Sequence, residues 1–293
     1  MGRIYETATY VFDPLHYYWE DKNTQRAVAG VLVGVFVAAL FCIELKRHGL
    51  LPAPLDGLFN QSHFQAVNIA FTLVLIIEVI GLIFTVPCSI SKAVGKQLEI
   101  LALILLRSSF KELSAFPEPI RVQDNMDALF RIAADGAGAI LIFVIMGVYI
   151  LLHRRTGEEG RPGPALYRFV AAKKIVAIVL VAIFAGMGGY NCWLFLSGRP
   201  TFEFFTDFYT VLIFSDILLV LVSQRYFPAF RAVFRNSGFA LATLLMRFAL
   251  TAPPYWNAGI GIGAAILAVG LTLTYNAFYL PKPGDRPKNW GRL

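Results

Sequence analysis

FTLVLIIEVI (Phe71–Ile80) is apolar at all but two positions, and one of the two is a glutamate, Glu78. The longer run LVLIIEVIGLIF (Leu73–Phe84) shows no alternating polar face. A strand of an outer-membrane barrel alternates polar and apolar residues with period two. A run that is apolar on every side suits a helix held in lipid or in a protein interior. That reading decides the fold class.

Working outward, five further stretches reach or approach the ~20 residues that a helix needs to cross a bilayer. With Ala66–Val86, which contains the opening run, they are Ala27–Leu45, Ile132–Leu152, Ile175–Leu196, Phe208–Val222 and Trp256–Leu280. Ala93–Phe110 and Gly238–Ala252 are shorter or more interrupted and complete the set. The expectation is an all-α polytopic membrane protein with about eight transmembrane helices. Composition agrees: 57% of the 293 residues are hydrophobic and 15% charged, against about 25% charged in soluble domains.

With eight spans both termini lie on one side. Most of the 26 Lys and Arg residues then fall on that side, in the connections and ends. They include Lys22 and Arg26, Lys92 and Lys96, Lys173 and Lys174, and the tail. Short basic loops stay in the cytoplasm, so both termini are expected there, in the plasma (inner) membrane. The organisation expected is an aromatic interfacial segment (1–26), a first four-helix unit (27–153), a cytoplasmic linker (154–170), a second unit (171–280) and a basic tail (281–293). The net charge of +7 is then a matter of topology and of the anionic cytoplasmic leaflet. Nucleic acid is not an expected partner; a second copy of the chain or other membrane subunits are.

The opening motif has an echo. YTVLIFSDIL (Tyr209–Leu218) carries Asp216 where the first stretch carries Glu78. LEILALILLRSSF (Leu98–Phe110) likewise aligns with GFALATLLMRFAL (Gly238–Leu250), placing Arg107 on Arg247. Shared leucines carry no information, but acid on acid and arginine on arginine are rare coincidences in apolar spans. An internal repeat of two parallel four-helix units is the expectation.

An Asp or Arg at the centre of a spanning helix costs about 2.5–3.5 kcal/mol. Such charges are tolerated when they face the bundle interior and pair. Glu78 with Arg107, and Asp216 with Arg247, are the expected pairs, joining the second and third spans of each unit. Asn68, Thr210 and Ser215 are expected to line a cavity or to bond between helices, as are Asp135, Asn191, Thr243 and Asn276. The glycine rows at Gly186, Gly188, Gly189 and at Gly259, Gly261, Gly263 are expected to allow close helix crossing.

An acid in the second span and an arginine in the third is similar in outline to a four-helix voltage sensor. Those sensors carry an arginine at every third position of the last helix, and here each arginine stands alone, so voltage sensing is not implied. The four histidines avoid the spans, which argues against intramembrane haem. No metal, nucleotide or nucleophile motif occurs in a usable context, and Cys42, Cys88 and Cys192 form no pairing pattern. No catalytic residue, cofactor or metal is therefore expected. Two functions fit: a channel or secondary carrier for a small ion or solute with the charge pairs in its path, or a non-catalytic subunit or scaffold of a larger membrane complex.

Overall fold

The computed structural model describes residues 2–49, 62–88, 90–116, 123–153, 164–226 and 230–279. Among them the chain is all-helical, with nine α-helices. These are α1 (Gly2–Glu20), α2 (Lys22–Arg47), α3 (Phe64–Thr85), α4 (Ile90–Lys111), α5 (Met126–His153), α6 (Pro164–Leu196), α7 (Phe204–Tyr226), α8 (Phe230–Thr251) and α9 (Trp256–Tyr279). Each of the eight apolar stretches is helical. Six of the helices (α2, α3, α5, α6, α7 and α9) are long and apolar enough to cross a membrane. They expose large aliphatic and aromatic side chains such as Val33, Phe143, Leu151, Leu196 and Phe214, as lipid-facing surfaces do. The chain is an integral membrane protein.

α4 and α8 are as long as α3 but hold more charges. They occupy the middle of the bundle, where Leu98, Leu101 and Leu105 of α4 pack with Phe239, Ala242, Met246 and Ala249 of α8 in the main core. Each also keeps exposed apolar side chains, Leu106 and Phe110 on α4 and Leu241 and Phe248 on α8.

Consecutive helices pack on one another in two series, α2–α3–α4–α5 and α6–α7–α8–α9. The series meet through α5 against α9 and α4 against α8. α5 and α9 run in the same direction, pinned at three levels. Tyr255 Oη donates to Asp127 Oδ1 at 3.2 Å, Asn257 Nδ2 to Asp135 Oδ1 at 2.9 Å, and Asn276 Nδ2 to the Leu152 carbonyl at 3.3 Å. Their backbones approach so closely that a Cβ on Gly138 would lie 2.6 Å from Ala258 Cβ, and one on Gly261 2.9 Å from Ile142 Cδ1. By contrast Gly186, Gly189, Gly259 and Gly263 face open space, so the expected close crossings occur at only part of the two glycine rows.

The amino-terminal segment is a true helix, α1. Its inner face sets Phe12 and Trp19 against Phe84 at the end of α3, with ring centroids 5.7 and 5.5 Å apart. Asp13 pairs with Lys174 of α6 at 2.6 Å, while Tyr10, Tyr17 and Tyr18 point outward. Asp21 then caps α2, its Oδ2 accepting from the amides of Asn23 and Thr24. α6 begins at Pro164, well ahead of the expected span, because proline is well suited to the first helical turn. It therefore takes in residues assigned to the linker. At its other end Gly198 adopts φ +67°, a left-handed cap, and the Arg199 amide closes on the Leu194 carbonyl at 3.0 Å. The remainder of the expected linker (154–163) and the basic tail (281–293) lie outside the described residues.

Candidate functional site

Both expected ion pairs form. α3 and α4 run antiparallel, with Gly81 facing Ile100 and Phe71 stacked on Phe110. This places Arg107 about a turn beyond Glu78, and its guanidinium reaches back through Nη1 to Glu78 Oε1. In the second series Arg247 Nε donates to Asp216 Oδ2 at 2.9 Å and Nη2 to Oδ1 at 3.5 Å, while Thr243 Oγ1 donates to Oδ2 at 3.4 Å. Arg107 lies seventeen residues after the first residue of α4, and Arg247 seventeen after that of α8.

The two pairs differ in their surroundings. Arg247 is 1% exposed and lines a void of about 10 Å³. Asp216 has three donors, and a second polar contact, Asn236 to Ser223, lies two turns along the same α7–α8 seam. Paired and hydrogen-bonded, these buried charges are in the arrangement that a low-dielectric interior tolerates. In contrast, the Arg107 side chain is 29% exposed, and Glu78 makes no hydrogen bond beyond the Arg107 contact. Both groups line a cavity of about 630 Å³.

That cavity is a cleft floored by α3 and walled by α2 and α4, which flank α3 without packing extensively on each other. At one end, where α1 ends and α2 and α4 begin, it is lined by Glu20, Thr24, Lys92 and Lys96. Apolar walls formed by Val28, Leu32, Ile77 and Leu103 lead inward to Glu78 and Arg107. No residue of α2 beyond Leu32, and none of α3 before Val74, lines it. The far end is shut. Ala39 and Ile43 of α2 pack on Ala66 of α3, and Phe71 and Phe110 stack with centroids 5.7 Å apart and planes 8° from parallel.

The other expected lining residues lie elsewhere. Asn68 is half-buried with its Oδ1 enclosed and unpartnered. Thr210 is exposed on α7, its hydroxyl bonded back to the Thr206 carbonyl at 3.1 Å, so it faces outward and lines no cavity. Ser215 is buried but bonds within its own helix, to the Leu212 carbonyl at 2.7 Å. Asp135 and Asn276 bond between helices as described above. Asn191 instead pins the turn after α6 by accepting from the Phe202 amide at 3.3 Å.

Lys173 corrects the loop assignment made from sequence. It lies inside α6, 3% exposed, donating to the Cys88 carbonyl. Adjacent residues on a helix project about 100° apart, so Lys174 reaches the surface of the bundle and Lys173 cannot. That pairing of lysines inside the pattern FVAAKKIVAIV was the available signal. The three cysteines are free thiols, and no group of metal-ligating side chains assembles among the described residues. No protein-family model, curated protein or solved structure matches the chain.

Proposed function

We propose that the protein is a secondary carrier for a small ion or solute, with the α2/α3/α4 cleft as its binding path and the Glu78–Arg107 pair at its inner limit. The observation that carries this reading is the one-sided cleft itself. A channel needs a continuous path, whereas a cavity open at one end and shut at the other has the form of one state of an alternating-access cycle. The Glu78 carboxylate is enclosed at the cavity wall with no partner beyond Arg107, and the Arg107 side chain, 29% exposed, is the part of the pair that a cargo meets first. Together they offer a cargo one charge of each sign. The stacked Phe71 and Phe110 act as the closed gate. Asp216–Arg247, buried and hydrogen-bonded, acts as a brace that fixes α7 against α8.

Eight spans, with α4 and α8 crossing as central helices, place the α1 end of the cleft on the cytoplasmic side together with both termini. This orientation rests on the basic residues of the connections. The equal lengths of α4 and α8, the identical positions of their arginines and the parallel course of α5 and α9 favour two units related by an axis along the membrane normal. In this reading duplication supplied two charge pairs, and only the first retained an opening.

Flux into proteoliposomes tests the proposal, using gradients of protons, sodium, potassium and chloride and an osmotic light-scattering assay for neutral solutes. At least one flux is expected, and Glu78→Gln should lower it by about tenfold or more, the equivalent of one lost charged contact. Absence of flux across the panel, or an undiminished rate in Glu78→Gln, overturns the reading and favours a non-transporting subunit.

A further inference from the structure

A second pocket lies between the two helix series, next to the cleft, with which it shares Cys88 and Ala93; its surface is mostly apolar, but several polar side chains reach it. Lys173 of α6 projects into a pocket of about 50 Å³ that also receives Gln97 of α4, Asp216 of α7, and Asn236 and Thr243 of α8. Lys173 is 3% exposed. Among the described residues its ammonium donates to the Cys88 carbonyl and lies 5.0 Å from the centroid of the Phe169 ring. No carboxylate pairs with it. The nearest acid lining the pocket, Asp216, is already bound by Arg247 and Thr243. Asn236 gives its amide to Ser223. Gln97 is 6% exposed, and its side-chain oxygen has no partner.

The electrostatic sum follows from these contacts. Arg247 and Asp216 cancel, which leaves the Lys173 ammonium as a buried positive charge with no counter-charge among the described residues. Isolated buried charges are costly enough that they are paired, neutralised or bound to an ion. Gln97 supplies a second donor, because turning its amide over exchanges the unpartnered oxygen for the NH₂ group, and the two atoms are assigned only from their partners. A water needs about 10–15 Å³ of cavity space, so a pocket of about 50 Å³ has room for a small ion with a few waters.

We propose that this pocket binds a single halide ion, chloride under physiological conditions, held by Lys173 Nζ and the Gln97 side-chain amide between the two helix series. The ion would neutralise Lys173 where α4, α6, α7 and α8 meet, and so tie the two series together. This inference does not depend on the transport reading of the cleft.

The test uses the purified full-length chain in detergent, unfolded by heat in sodium chloride or bromide and, at equal ionic strength, in sodium gluconate. Halides are expected to raise the melting midpoint by a few degrees with a saturable concentration dependence. Lys173→Met should abolish the halide-specific rise. Gln97→Leu retains the ammonium and should shift half-saturation to several-fold higher halide, so it reports even if Lys173→Met does not fold. Crystals grown in bromide should show an anomalous peak in contact with Lys173 Nζ. Equal midpoints in halide and gluconate, a halide response unchanged in the variants, or no bromide at Lys173 overturns the proposal.

Discussion

Arg247 donates through Nε to Asp216 at 2.9 Å and is 1% exposed, whereas the side chain of the corresponding Arg107 is 29% exposed and lies with Glu78 at a cavity of about 630 Å³. An acid and an arginine occupy matching places in two helix series, and the two acids are equally buried, yet Arg247 is enclosed by protein whereas Arg107 is exposed to the cavity. Packing around the pair, more than the pair itself, separates a structural contact from a candidate binding site.

The enclosed pair should matter most for stability. Asp216→Asn or Arg247→Met alone strands a buried charge and is expected to cost about 3–5 kcal/mol. Glu78→Gln, beside an open cavity that can hydrate Arg107, should cost clearly less. Replacing Asp216 and Arg247 together by apolar residues should cost less than the two single changes added, because each single change also leaves its partner unpaired. Reversible unfolding in mixed micelles compares all four variants.

On the α3–α4 side the closed end of the cleft rests on the Phe71–Phe110 stack, and on the α2 side on Ala39 and Ile43 against Ala66. An aromatic pair adds about 0.5–1.5 kcal/mol beyond its area burial, a barrier small enough for thermal opening. Phe110→Ala should therefore admit a membrane-impermeant thiol reagent to Ile77→Cys from the far side as well, raising that labelling rate by about tenfold. Side-specific labelling in oriented vesicles reads the change directly.

The α5–α9 contact is predicted to be intolerant at one glycine and tolerant at another. A Cβ on Gly138 would sit 2.6 Å from Ala258 Cβ, so Gly138→Val must push the two backbones apart and lower the melting midpoint. Gly263 faces open space, and Gly263→Ala should be neutral or stabilising by up to about 1 kcal/mol through helix propensity. Asn257→Ala, which leaves Asp135 unpartnered, should cost about 1–3 kcal/mol.

The helices and the charge pairs were legible in the sequence for a shared physical reason. Lipid imposes long apolar runs, and against them Glu78, Arg107, Asp216 and Arg247 stand out. The asymmetry between the pairs was not legible, because it arises from bulk and not from charge. α2 presents Thr24, Gln25, Val28, Ala29 and Leu32 to the cleft, and these do not fill the space beside α4. At the corresponding place α6 carries larger side chains, whose Leu180 and Phe184 pack with Phe208 and Leu212 of α7. The burial of Lys173 was also hidden, because a lysine beside an apolar span looks like a loop residue until the helix is seen to begin at Pro164.

Side-specific thiol labelling of Ile77→Cys, with Cys42, Cys88 and Cys192 replaced by serine, tests the central claim most directly. The cleft predicts rapid modification by an impermeant reagent applied from the side bearing α1, slow modification from the opposite side, and protection of Ala39→Cys from both. Failure of Ile77→Cys to react from the α1 side, or equal reaction from both sides, would contradict a one-sided path to Glu78.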